Sequence, residues 1–483
     1  MRKQDQLNEL INSLTKNEKR YFKIQASAQD GDKVFVRLFD ELAKSNAYVP
    51  EELIEKLKIS KPVLAHTKKY LEKALLSSLR QYADDSNLKV WLNNQWQEAE
   101  ILYTRKHFDM AMAITEKALK RAVDYEYFMM AYNLWALKHQ ILIAATNQLE
   151  ESMNATRQKE HCLEQLNEVE HLLGICINFN KASNGLYDAE KELEYVSALP
   201  IFKTTPEKLK SDSARMRWHE MKHLYYYYIK GDGKTAIYHA QCKLKVFEAR
   251  PALIYTFPVG YLTTLGALCG YHTVQYNIAE ALKYAHQMEA DTDGHRKDIP
   301  PTLCVQYGQI ARTHQIVSYG AIERYDEVVK KAAPMVNNLN NTMTSHLIVI
   351  KFQYARALFY TGRYDEALKV CEAMITSTLD VRKEILMSNR LFIVMIHYAL
   401  KNYSLLPNLV TSAIRWGQRQ KMDLTDFDGA FYWFKKMVHL NHGDKHQQFF
   451  KQMDEAVNKK NFDNVNLDLN LPLWTRNILA GKY

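Results

Sequence analysis

The chain has 483 residues, of which 47% are hydrophobic and 25% charged, with a formal net charge of +9. That apolar content excludes a disordered polymer, and that length exceeds one ordinary compact core, leaving several domains or a repeat array. With only 16 glycines and 11 prolines as punctuation, sheet-rich and α/β folds are disfavoured and a mostly helical chain is expected.

The opening "MRKQDQLNELINSLTKNEKR" turns amphipathic and charged at once and has no apolar signal-peptide core. Within it, Thr15 and Glu18 have the spacing of a capping box that starts a helix. A second helix is expected after "DGD", where Phe35, Leu38, Phe39 and Leu42 recur at three- and four-residue intervals.

Residues 52–76, "ELIEKLKISKPVLAHTKKYLEKALL", have the grammar of a helix-turn-helix. Ser60 suits an N-cap and Pro62 a first helical turn, so the second helix should run from about Lys61 to Ala83. Residues 56–80 hold seven Lys/Arg against Glu72 alone, and Lys61, His66, Lys69 and Lys73 would form the phosphate-contacting set of a nucleic-acid reader. Three features point instead to a basic end-cap. Lys58 stands at a turn position that favours glycine, Lys68 stands where a core leucine is usual, and no wing follows.

Beyond "YADDSN" a self-similar element recurs, clearest in "FYTGRYDEALKVCEAMI" (359–375). A glycine turn (Gly362) precedes an aromatic (Tyr364), two acids and a small residue (Ala367) on an amphipathic helix. Looser copies carry Phe108 and Ala111, Ile278 and Ala281, Tyr325 and Val328, and Tyr403 and Leu406. Fainter ones lie near Leu149/Ser152, Leu186/Ala189 and Gly233/Ala236. The small-residue slots fall at 111, 152, 189, 236, 281, 328, 367 and 406, spaced 41, 37, 47, 45, 47, 39 and 39 apart. A period near forty describes a two-helix unit repeated about eight times.

"TGRYDEAL" resembles the inter-helix turn of a tetratricopeptide repeat, with Ala355 and Ala367 where that repeat needs small residues and Tyr364 as the wedge. Cys371 and Met374 depart from its usual residues, and most spacings exceed its usual length. With the N-terminal "SLTKNEKRYFKI", the chain resembles large bacterial proteins of this repeat type, whose names describe architecture and not activity. The resemblance implies a right-handed α-solenoid over residues 89–425, a helical bundle over 1–88 before it and a helical cap over 426–483 after it. Stacked helix pairs leave a concave row of first helices that commonly takes an extended peptide or a partner helix.

"HEMKH" (His219 to His223) places two histidines one helical turn apart beside Glu220, the pattern of a zinc peptidase, with Glu248 a candidate third ligand. Lys222 inside the motif and the lack of a following Gly-x-x-His favour a surface strip of a solenoid helix, with Trp218, Met221, Tyr225 and Tyr228 on the buried side. "YYYY" (225–228) should spread around a helix as core and groove wall. Residues 251–279 carry no Lys, Arg, Asp or Glu, but Pro258, three glycines and many Tyr and Thr make them buried helices and not a membrane span. No phosphate loop, nucleophile elbow or dinucleotide fingerprint occurs, so neither a cofactor nor an enzyme is expected. Six scattered cysteines without a Cys-x-x-Cys pair suggest reduced thiols and a cytoplasmic location.

The expectation is therefore an all-α scaffold binding a protein or peptide. The first alternative is a ligand-responsive regulator reading nucleic acid with residues 52–80, and the second is a zinc peptidase.

Overall fold

The computed structural model describes residues 5–27, 34–44, 49–83, 87–145, 148–183, 196–294, 296, 298–337, 344–375, 382–440, 444–459 and 469–483. Its regular elements are helices throughout, with no strand among the described residues. The chain divides into two compact units, Met1–His171 and Leu172–Tyr483.

The first unit opens with α1 (Gln6–Ser13), α2 (Lys16–Ser27), α3 (Val34–Lys44), α4 (Pro50–Leu57) and α5 (Lys61–Ala83). The capping box forms as the sequence implied. Thr15 N–H donates to Glu18 Oε2 at 2.7 Å and Glu18 N–H to Thr15 Oγ1 at 3.3 Å, fixing the start of α2. One core is shared by these five helices, built on Ile11, Phe22, Leu38, Phe39, Leu57, Leu64 and Leu71. At roughly 1.5–3 kcal/mol for each large apolar side chain removed from water, that cluster is what fixes the packing of α5. Next come α6 (Leu88–Thr104), α7 (Phe108–Asp124) and α8 (Phe128–Ala145), then α9 (Leu149–Ser183), within which the unit boundary falls.

In the second unit a short α10 (Pro200–Lys203) leads to α11 (Asp212–Leu224), which runs into a π-turn (Tyr225–Ile229). There follow α12 (Gly233–Ala249), α13 (Ala252–Thr256), α14 (Pro258–Val274), α15 (Ile278–Asp291), α16 (Pro301–Ala321), α17 (Tyr325–Asn337) and α18 (Thr344–Tyr360). The unit continues with α19 (Tyr364–Ile375), α20 (Lys383–Ala399), α21 (Leu406–Arg419), α22 (Asp428–Met437), α23 (Asp444–Lys459) and α24 (Leu471–Leu479). The uncharged 251–279 stretch becomes α13, α14 and the start of α15, with Leu262, Leu265, Leu268 and Cys269 fully buried. Among the described residues no helix is long and apolar enough to cross a membrane.

From α14 to α21 each helix packs on the next, and alternate helices α14, α16, α18 and α20 also touch one another. Gly320 permits one of these close approaches. A Cβ there would come within 2.9 Å of Gln353 Oε1, and the Gly320 carbonyl accepts from Arg356 Nη2 at 3.2 Å, tying α16 to α18.

The repeated turn has one backbone signature. Lys106, Gly231, Tyr276, Glu323, Gly362 and Lys401 all have φ between 54° and 84°, in the left-handed region. Each stands five residues before a small-residue slot (Ala111, Ala236, Ala281, Val328, Ala367 and Leu406), and all six slots are buried. In five of the turns the next residue's N–H bonds five residues back, as Arg363 does to Leu358 O at 2.8 Å and Asn402 to His397 O at 2.9 Å. This closes the preceding helix as a Schellman cap. In the sixth the π-turn widens the loop, and Asp232 N–H reaches back to Tyr226 O at 2.9 Å. Tyr364, the expected wedge, is half-buried with its ring 5.3 Å from that of Phe359. Phe108 is half-buried and Tyr325 buried at the corresponding position. Ser152 is buried as well, and the copy near Leu186 and Ala189 lies outside the described residues.

The C-terminal segment folds back onto earlier turns. Tyr360 Oη donates to the carbonyls of Leu469 and Asn470 at 2.9 and 3.0 Å, and Asn470 Nδ2 donates to Tyr325 Oη at 3.0 Å. The Trp474 ring is fully buried against Tyr398, Phe434 and Phe450.

Candidate functional site

Three places carry chemistry worth weighing. The first is α5. Its buried face is Leu64, Thr67, Leu71, Leu75 and Ser78, so a helical period of 3.6 turns Lys61, His66, Lys69, Lys73 and Arg80 outward, where all five are exposed. Lys69, Lys73 and Arg80 align on one stripe, with Lys61 and His66 to either side. Lys56 and Lys68 are neutralised. Lys56 lies 3.8 Å from both Glu41 and Glu52, and Lys68 pairs with Asp5, the residue that caps α1. Lys61, Lys69, Lys73 and Arg80 form no ion pair among the described residues. Lys58 has φ 53°, so the turn does take the left-handed conformation that glycine favours.

The second is α11 and the π-turn after it. The sequence suggested that the His219–His223 face would be an outward strip, but it is turned inward against α12. His219 is buried, with its Nδ1 3.1 Å from the Nδ1 of His239. His223 uses Nδ1 to donate to the Ala236 carbonyl at 3.1 Å, one turn away on α12. Glu220 is consumed from both sides, by Arg217 Nη1 at 2.6 Å and by Lys243 Nζ at 3.4 Å. Burial raises its carboxyl, but Lys243 and Arg217 outweigh that, so the net displacement is downward and the group is ionised. Burial lowers His219 to about 4, and lowers His239, with help from His219, Lys222 and His223, also to about 4. Both imidazoles are therefore neutral at pH 7, and across the Nδ1–Nδ1 contact one donates while the other accepts. Lys222 sits with its ammonium 3.5 Å above the Phe202 ring, and burial lowers it. Glu248 is exposed on α12.

Of the four tyrosines, Tyr225 is buried while Tyr227 and Tyr228 are largely exposed, because the π-turn shifts the register of the helix. Among the described residues no group of three or more His, Cys, Asp or Glu is arranged to hold a metal ion.

The third is a cleft of about 940 Å³ beside the connection from α15 to α16, lined by Glu289, Arg296, Val305, Arg312, Lys330 and Lys331 among others. Glu289 accepts from Gln315 Nε2 at 2.7 Å and lies 3.8 and 4.0 Å from Arg312 and Lys331. Arg296 is pinned by Asp291 at 3.0 Å and by Asp298. Burial pushes the Cys304 thiol at its edge up, which disfavours the thiolate, and its sulfur donates to Ile299 O at 3.6 Å. Its described walls carry both signs of charge, an arrangement suited to holding a polar ligand. No motif announces these residues, because they come from three helices.

All six cysteines are free. No family model, no curated protein and no solved structure matches the chain.

Proposed function

We propose that the chain is a non-enzymatic helical-repeat scaffold that binds a protein or peptide partner along its row of first helices. The observation that carries the reading is the contact of α14, α16, α18 and α20 with one another as well as with the helices between them. Such a row is the inner layer of a two-layer, tetratricopeptide-like array, and an inner layer presents one continuous strip of side chains to a ligand. The recurrence of one left-handed turn position five residues before each buried slot supports the same reading. In it, α1–α5 are a basic bundle and α22–α24 close the C-terminal end of the array.

The test is affinity capture with quantitative mass spectrometry, comparing the wild-type chain with a Val305→Glu/Arg312→Glu variant. Val305 is 60% exposed on α16, so the variant alters the strip without entering the core. A partner held by the wild type and lost from the variant is the expected result. Partners retained equally by both would sink the groove.

A second reading is favoured by the unpaired cations of α5: a regulator whose residues 52–80 bind nucleic acid. Gel-shift measurements on the whole chain across salt concentrations test it. Sequence-dependent binding with a steep salt slope supports a reader, and no binding even at low salt ends it.

A further inference from the structure

The helical pair α20–α21 and its flanks, residues 382–422, contain seven Lys/Arg and a single acid, Glu384. That acid is already paired with Arg382. Two of the remaining cations, Arg390 and Arg419, neighbour the same indole. Arg390, on α20, lays its guanidinium over the indole of Trp416, on α21, with Cζ 4.5 Å from the ring centroid. Its Nε is buried and has no hydrogen-bond partner among the described residues. Arg419, three residues beyond Trp416 and so on the same face of α21, is the charge that Arg390 feels. Burial first, and then Arg419, push the Arg390 guanidinium down from its ordinary value, and no carboxylate offsets them. Neither arginine forms an ion pair among the described residues.

A half-buried guanidinium that feels a second positive charge, with no counter-charge, costs stability while empty. Other buried cations of the second unit, such as Arg217 and Lys243, have a carboxylate beside them, that of Glu220. A guanidinium with no carboxylate beside it keeps its donors open to an anion from outside. The planar fork suits a two-oxygen or three-oxygen anion, and the indole fixes the plane of that fork.

We propose that Arg390 and Arg419, braced by Trp416, form an anion-binding site for a phosphate or carboxylate group. Phosphate and carboxylate share the recognition chemistry, which is two guanidiniums closing on anionic oxygens. The inference goes beyond the scaffold reading and does not depend on it.

The experiment follows thermal unfolding of the full chain at fixed ionic strength while chloride is replaced by inorganic phosphate or, separately, by succinate. In the wild type a saturable rise in Tm is expected, since a ligand that binds only the folded state stabilises it by mass action. A larger response to phosphate assigns a phosphoryl ligand, and a larger response to succinate assigns a carboxylate. Arg419→Gln, at an exposed position, and Arg390→Gln should each raise the half-saturating concentration about tenfold or more, the loss of one charge-assisted contact. In chloride alone Arg390→Gln should melt no lower than the wild type, because the group it removes is uncompensated. Arg363→Gln, which breaks only the exposed pair with Glu366, should respond as the wild type does. An unsaturable rise shared by the wild type and Arg419→Gln is a general salt effect and overturns the site, as does the absence of any rise in the wild type.

Discussion

Helices α5 and α11 each carry a recognisable motif, and the structure treats them in opposite ways. In α5 the apolar positions form one stripe that packs on α2 and α3, leaving the basic residues outside, where water and salt screen them. In α11 the charged and imidazole residues are themselves on the packed face, each matched by a group on α12: His219 by His239, Glu220 by Lys243, and His223 by a backbone carbonyl. The lesson is that a motif's residue types say less about its chemistry than the element it packs against. The same charge is exposed surface in one helix and a packing element in the other.

The comparison breaks most sharply at Glu220. Replacing it with Ala strands Lys243 and Arg217, both largely buried, without a counter-charge. Breaking a buried pair in this way costs roughly 3–5 kcal/mol, so urea unfolding should show a large loss. A near-neutral result would mean that the triad is solvated.

The histidine pair gives the next largest effect. His219 and His239 lie at about 4, below their ordinary 6.5, so the unfolded chain binds their protons more readily than the folded one. Their contribution is therefore complete above about pH 6.5 and is lost as the pH falls toward about 4. Discounted for solvent screening and for the coupling of the two rings, the pair together is worth about 2–3 kcal/mol across that window. The groups facing the pair include Trp218, Lys222, His223, Tyr226, Tyr238 and, from a 3₁₀ turn at Pro206–Lys208, Glu207. A His219→Gln/His239→Gln double variant should flatten the decline of the urea midpoint with acid. An unchanged slope would assign the proton uptake elsewhere.

A smaller effect calibrates the two helices against a change that touches neither. Gly362 has φ 83° and open space around the position a Cβ would take, so Gly362→Ala should cost about 1 kcal/mol through the backbone alone. Lys401→Gly, at the corresponding position with φ 62°, should act in the opposite direction by a similar amount. Equal signs for the two substitutions would contradict the shared turn.

The smallest effect belongs to α5. Lys69→Gln and Lys73→Gln should each change stability by less than about 0.5 kcal/mol, because both are exposed and unpaired. If nucleic acid binds, each should also reduce the salt slope by about one. A large stability loss would mean that the stripe is not free surface.

These positions also show why some of the molecule was legible in the sequence and some was not. The helical class followed from periodicity and scarce glycine, and the Thr15–Glu18 cap from spacing alone. The turn was legible at Gly362 because glycine announces a positive φ. At Lys106, Tyr276, Glu323 and Lys401 the same conformation is imposed by the Schellman bonds on residues that do not advertise it. Their penalty of roughly 1–2 kcal/mol is small beside the burial that each repeat gains. The residues of α11 were legible and their orientation was not, because the partners that turn them inward lie about twenty positions later. The cleft was the least legible, since its lining is brought together only by packing.

The return of the C-terminal segment has a consequence for how the second unit comes apart. A stack held only by neighbour-to-neighbour contacts frays from its ends, one pair at a time. Tyr360 instead reaches a carbonyl 109 residues further along, and Asn470 reaches Tyr325 across 145. With that clasp in place, no pair between α17 and α24 can detach without opening contacts at both of its sides. Amide hydrogen exchange should then report α17–α24 as one cooperative block, with α14–α16 free to open separately.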